Sequence, residues 1–481
     1  MFKNKIKNVK IDILREDFYM ENNVVLKKAN KLGVKTWTCI IIFGLAGQLA
    51  WMVENMYFSA YIQANITKDA WATSAAVASS AVVAALASIF GGALSDRLGK
   101  RKLFVCIGYI IWGIITALFA VFGNDPITQV NITRTVVIFV VMDCIMTLFG
   151  SLSNDAAFSA WVTDVTDISN RGLVDVIISM MPIAALMIIF VGFDGLTQKG
   201  EWALFFIILG AVTTLIGVLG LFLFKDSPNI EPDKSNTYLK NVFYGFIPQN
   251  IKSNKMIYVC FVAMLFSSLS LQMWQPYMIS LFQHTLGIAN YVIPIALIVV
   301  LSAALSVVGG KLMDKYGKTH FYYPVASIGV IGGLLCYFIK FVNPTNTLLK
   351  MIILIIGGTL IMGGSMMCSG LFFASSRDHT PKDKAGCFQG IRMVIVIMTP
   401  MVLASLICPF VIEGFGTEPT AEMIAAGAYR PGDKVYPYEL FLFSAIIAAF
   451  VFIPGIICKA KDRTFRNEKL RELNLIEEKT E

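Results

Sequence analysis

Four ionisable side chains interrupt long apolar runs in this chain: Glu54, Asp143, Asp155 and Arg392. A charge held in hydrocarbon costs about 2.5–3.5 kcal/mol on insertion scales, so such residues point to function by default. Placed along the runs that hold them, Glu54 and Asp143 share one layer, to one side of the centre. Asp155 and Arg392 share another, on the opposite side. Two carboxylates in one layer can load and release a proton. An acid and a base in one layer can pair, and the base can instead meet a substrate; a buried structural pair is an equal reading. Near the first layer stand Trp51, Asn55 and Tyr57, and a later run offers Gln272, Trp274, Gln275 and Tyr277, with Pro276 as a kink. Flat aromatics with carboxamides suit a polyhydroxylated ligand, since a ring face stacks and the amides donate and accept. The competing reading is an interfacial belt of Trp and Tyr. Enzyme chemistry is not expected. His284, His320 and His379 have no partner spacing, no Walker loop exists, and no nucleophile–base pair is visible.

The elements that must position these groups are transmembrane helices. The chain has 481 residues, 56% hydrophobic and 15% charged, against roughly 25% charged in soluble proteins. Twelve apolar runs, at about 36–62, 71–95, 103–123, 134–160, 173–195, 202–224, 255–283, 287–312, 320–341, 349–374, 385–412 and 438–458, have spanning length. The alternation of a membrane barrel is absent. Of the 40 Lys and Arg residues, 32 fall on segments on one side, 7 on the other, and Arg392 lies within a run. The positive-inside rule then places both termini in the cytoplasm of a multi-pass cell-membrane protein. The net charge of +8 belongs to this pattern rather than to nucleic-acid binding.

The expected organisation is a cytoplasmic segment 1–33, which is no signal peptide, a six-helix bundle 34–224, a cytoplasmic linker 225–254, a second bundle 255–458 and a tail 459–481. The segment 1–33 reads equally as an interfacial helix or as disorder. The long outside loop 413–437 reads as a solvated connection, with a lid as the alternative. The nine cysteines contain no CxxC pair and read as buried hydrophobes, without a metal site. Asn65 and Asn131 open glycosylation sequons on outside loops.

The halves repeat. Gly92-Ala-Leu94-Ser-Asp96-Arg97-Leu-Gly99-Lys100-Arg101 matches Gly310-Lys-Leu312-Met-Asp314-Lys315-Tyr-Gly317-Lys318 at an offset of 218. Residues 150–172 match 364–386 at an offset of 214, with seven of 23 positions identical, Gly150/Gly364 and Asp164/Asp378 among them. Both repeats run inside to inside, so they are parallel repeats about an axis normal to the membrane. The glycines are expected to let the chain turn between helices. Asp96 can accept from a neighbouring helix N-terminus.

These loops resemble the signature loop of the major facilitator superfamily. The resemblance covers essentially the whole chain. It implies an all-α fold of twelve transmembrane helices in two pseudo-symmetric six-helix bundles, with helices 1, 4, 7 and 10 lining a cavity across which Glu54 and Asp143 face. It also implies a latch for the outward-facing state, carried here by Gly92, Asp96, Arg97, Gly99, Arg101, Gly310, Asp314, Lys315 and Gly317. The alternative is that this cluster only fixes topology.

Within the superfamily, Glu54-Asn55, Asp164…Arg171-Gly172 and Gln389-Gly390 resemble the glycoside–pentoside–hexuronide cation symporters and the sucrose-type proton symporters. That implies a monomeric secondary transporter, without a cofactor, that takes up a sugar or glycoside. Melibiose-type carriers place acids in helix 2 for sodium, and the run 71–95 has none. The coupling ion expected is therefore a proton, with sodium as the alternative. The run beginning at Gly172 also lacks the glycine–proline signature of drug/proton antiporters. An exporter of amphipathic compounds and a non-transporting sensor remain as the other readings.

Overall fold

A computed structural model describes residues 32–123, 131–166, 171–226, 246–288, 290–343, 346–380, 388, 391–425 and 429–461. The long helices are α1 (Val34–Ile66), α2 (Ala70–Leu98), α3 (Arg101–Phe122), α4 (Ile132–Val165), α5 (Arg171–Gly192), α6 (Trp202–Leu223), α7 (Lys255–Thr285), α8 (Val292–Tyr316), α9 (Tyr322–Phe341), α10 (Thr347–Asp378), α11 (Met393–Phe415) and α12 (Glu439–Lys461). Among the described residues, eleven helices are long and apolar enough to cross a membrane, and in α5 the described apolar stretch is Met180–Gly192. Helices satisfy their own backbone, which is what hydrocarbon demands. Large apolar side chains such as Val191, Leu215 and Phe222 point outward as a lipid-facing surface.

Packing repeats with the sequence. Helix α3 lies on α6 as α9 lies on α12, α2 on α4 as α8 on α10, and α1 on α5 as α7 on α11. Across the halves, α2 meets α11 and α5 meets α8. The glycines of the repeat explain this closeness. A Cβ on Gly150 would strike the Trp112 ring of α3 at 2.9 Å, and one on Gly364 would strike Ile328 of α9 at 3.0 Å. Gly113 and Gly333 likewise admit α6 and α12: an added Cβ would lie 2.5 Å from Gly210 O and 2.8 Å from Ala445 Cβ.

Two details differ from expectation. Gly92 and Gly310 sit inside α2 and α8. The turns belong to Gly99 and Gly317, with φ of 62° and 86°, the region glycine adopts without strain. Asn65 is buried in the last turn of α1, which leaves no room for a glycan; Asn131 is exposed. Pro276 does break α7: the α-helical winding ends at Gln272 and resumes at Met278 after a 3-10 turn. The segment 1–31, most of the linker (227–245) and the tail from 462 lie outside the described residues.

The face carrying the α1–α2, α7–α8 and α11–α12 connections is the one that the basic residues assign to the outside; it is called the outer face. Hydrogen bonds join the halves there. Gln63 Nε2 donates to Pro276 O at 3.2 Å, Trp71 Nε1 to Glu413 Oε1 at 2.5 Å, and Arg430 Nη1 to Ile66 O at 3.2 Å. The connection between α11 and α12 is a strap rather than a free loop. Val435 N closes its base on Thr417 O at 2.9 Å, and Thr285 Oγ1 holds Tyr436 O at 2.8 Å. From that base the Tyr436 hydroxyl reaches Lys68 O, 3.3 Å away in the other half. Among the described residues, these bonds hold the two halves closed at the outer face.

Candidate functional site

Four of the long helices are not wound uniformly. Val53–Phe58 and Ile62–Ile66 of α1, Ser151–Phe158 of α4, Leu281–Thr285 of α7 and Met393–Met398 of α11 are π-helical. Such turns insert a residue into the helix and turn the following side chains to a new direction, often at functional sites. Three of these segments border one cavity of about 190 Å³. Helix α1 supplies Trp51, Glu54 and Asn55, α4 supplies Asp155, and α11 supplies Met393, Ile397, Met398 and Met401. Ser80 and the small alanines 81, 84 and 85 of α2 complete the wall.

The two carboxylates expected in one layer are brought together. Thr147, one turn beyond Asp143 on α4, donates from Oγ1 to Glu54 Oε1 at 2.8 Å. Glu54 and Asp143 interact electrostatically across this bridge. Glu54 Oε2 and Asp143 Oδ1 are both buried without a partner. Glu54 borders the cavity, and Asp143 stands behind it, 2% exposed. Two acids with open lone pairs, one of them held by the Thr147 hydroxyl, form a place where a small cation can be held.

Asp155 lies on the same wall. Its Oδ1 accepts from Asn154 Nδ2 at 3.2 Å, with Ser151 and Trp51 beside it. Arg392 does not answer it; the guanidinium lies 4.7 Å over the Phe373 ring, and Arg377 sits 4.8 Å over that same ring. Shared depth does not imply contact, because the helices carrying the two groups face different neighbours. Asn55 borders the cavity and returns Nδ2 to Trp51 O at 2.8 Å.

Other expected cavity residues are placed elsewhere. Tyr57 is buried and donates to Asp194 Oδ1 at 2.8 Å. Trp274 is buried among Phe282 and Phe441 of the second half. Gln272 borders a separate small space beside Ser74 and Tyr277, and Gln275 is half-buried. Gln389 lies outside the described residues.

Of the loop residues, Arg101 is tied within its own half, through Nε to Asp164 Oδ2 at 3.1 Å and Nη1 to Ser95 Oγ at 2.6 Å. Arg97 is exposed, and Lys315 lies 5.3 Å over the Tyr316 ring. The side chains of Asp96 and Asp314 are outside the described set.

Sequence reasoning missed Asp194. Its carboxylate is fully buried and receives Tyr57, Thr197 (3.3 Å) and Gln198 (2.6 Å) from the first half, and Tyr291 (3.2 Å) from the second. The residue stands at the last turn of the run 173–195, where a charge can sit outside lipid, so it was not counted with the four. It also missed Thr147 and the methionines of α11, which read as ordinary helix interior.

A family model for the Major Facilitator Superfamily matches residues 36–409. The chain belongs to the Major Facilitator Superfamily. No curated protein sequence matches it. Among solved structures it is similar to a nucleoside transporter, NupG, at 14% identity with a TM-score of 0.63, over 88% of this chain and 99% of that one. A bacterial homolog of the human lysosomal transporter Spinster, inward-facing and unoccupied, gives 15% identity and 0.63 over 91% and 99%. A D-xylose-proton symporter gives 12% and 0.64 over 88% and 96%. At these identities the likeness is one of fold. Membership of the superfamily makes this chain a membrane transporter.

Proposed function

We propose that this protein is a proton-coupled importer of a sugar or glycoside, working by alternating access. The observation that carries the reading is the acidic layer of α1 and α4. Glu54 faces the cavity with one oxygen unpartnered, and Asp143 lies behind it, linked through Thr147. Two buried acids without a counter-charge are relieved by a proton shared between them. Trp51 and Asn55 on the same wall offer a ring face and an amide to a hydroxylated ligand. The sealed outer face corresponds to the half of the cycle in which the site has left the outside.

The test is proton movement driven by sugar. Proteoliposomes loaded with a pH dye receive a panel of pentosides, hexosides and disaccharides. A member of the panel should acidify the lumen, and Glu54→Gln or Asp143→Asn should abolish the signal. Silence across the panel would sink the reading.

The methionine wall of α11 favours a second reading. Thioethers adapt to varied apolar surfaces, which suits a proton-driven exporter of amphipathic molecules. That reading predicts drug sensitivity on deletion and no growth defect on carbon sources.

A further inference from the structure

The charge on the cavity wall is unbalanced. Glu54 and Asp155 both border the cavity, and among the described residues that line it there is no Lys, Arg or His. Glu54 is 9% exposed, and its Oε2 is buried with no partner. Asp155 is met by Asn154, Ser151 and Trp51, none of which carries a charge.

Two separate carboxylates have a consequence for coupling. If one carboxylate served both a proton and a cationic substrate, each would expel the other, and the protein would exchange them. Glu54 and Asp155 come from different helices, and Glu54 takes the Thr147 hydroxyl and interacts electrostatically with Asp143. One acid can therefore hold the proton while the other holds a positive group on the solute. Trp51 adds an indole, the aromatic face with the strongest pull on a cation.

We infer that the substrate of this cavity is positively charged: an amine-bearing sugar or glycoside whose ammonium meets Asp155 and the Trp51 ring, while Glu54 and Asp143 carry the proton. The inference rests on reading this cavity as the substrate site of a sugar transporter, and it adds the charge of the solute. Met393 and Met398 of α11 supply the apolar wall for the carbon skeleton.

The test measures binding to the full-length protein in detergent, with four probes: glucosamine, methyl glucoside, glucuronate and tetraphenylphosphonium. Glucosamine should bind at least tenfold tighter than methyl glucoside, and glucuronate more weakly than both. Asp155→Asn should reduce glucosamine to the level of methyl glucoside, and Asp155→Glu should keep the preference. The wild-type ranking decides even where a variant fails to fold. Methyl glucoside bound as tightly as glucosamine overturns the inference and leaves the sugar reading standing. Binding of tetraphenylphosphonium with no sugar overturns the inference together with the sugar reading and leaves only a cation-selective cavity. Failure of both cations to bind overturns the inference outright.

Discussion

Tyr291→Phe should loosen the outer seal. The Tyr291 hydroxyl donates to Asp194 Oδ1 at 3.2 Å and comes from the second half, whereas Tyr57, Thr197 and Gln198 reach that carboxylate from the first. A hydrogen bond to a charged group contributes about 1.5–3 kcal/mol net. Each 1.4 kcal/mol is a factor of about ten in an equilibrium. The ratio of sealed to open outer face should therefore fall roughly 10- to 150-fold, so that a ratio of about 99:1 becomes about 10:1 at the lower limit. Spin labels at Val121 and Leu348, which are 80% and 64% exposed near the outer ends of α3 and α10, report the distance between halves by electron–electron resonance. Tyr57→Phe is the control. It removes a bond to the same oxygen, but both partners move together, so the ratio should change much less. Equal shifts from the two variants, or none from Tyr291→Phe, would refute the assignment of this bond to the seal.

Lys68 gives the seal a pH dependence. Its ammonium is buried 4.7 Å over the Tyr429 ring; burial lowers its pKa to about 8, with Asp433 opposing the shift, and His284 and Tyr436 flank the cluster. Exposed in the open form, it returns toward about 10.4. The sealed form then binds fewer protons between these values, so sealing is weakest and constant below about 8 and strengthens as pH rises from about 8 to about 10. The open population should grow as pH falls from about 10 to about 8 and level off below, and Lys68→Met should flatten that slope; an unchanged slope would clear Lys68 of the role. Two glycines should respond with opposite signs. Gly113→Ala forces a Cβ to within 2.4 Å of Thr214 N and should cost about 1–3 kcal/mol by overpacking, read as a lower melting temperature. Gly310→Ala meets nothing within 4 Å and should raise it, since alanine is the better helix former.

The spans and their repetition were legible because lipid leaves few choices. Gly150 and Gly364, picked out by sequence identity, turned out to seat corresponding helices of the two halves. The cavity was only partly legible. Residue depth put Glu54 and Asp143 in one layer, and the resemblance set them facing across the cavity; in the structure only Glu54 borders it and Asp143 is buried behind. Depth could not separate Trp51, which borders the cavity, from Tyr57, which turns away to Asp194. The π turn beginning at Val53 lies between them, and six residues of altered winding leave no mark in composition. The strap was harder still. Residues 413–437 have the polar composition of a solvated loop, and only tertiary contacts such as Arg430 to Ile66 O reveal what they hold.

The role of Glu54 in coupling is tested most directly by comparing accumulation with exchange. Proteoliposomes carrying the wild type or Glu54→Gln are given the transported sugar, first with an inward proton gradient and then with sugar on both sides and no gradient. The account predicts that Glu54→Gln loses gradient-driven accumulation and keeps sugar exchange, because the cavity remains and only the proton site is gone. Accumulation at the wild-type level in Glu54→Gln would contradict it.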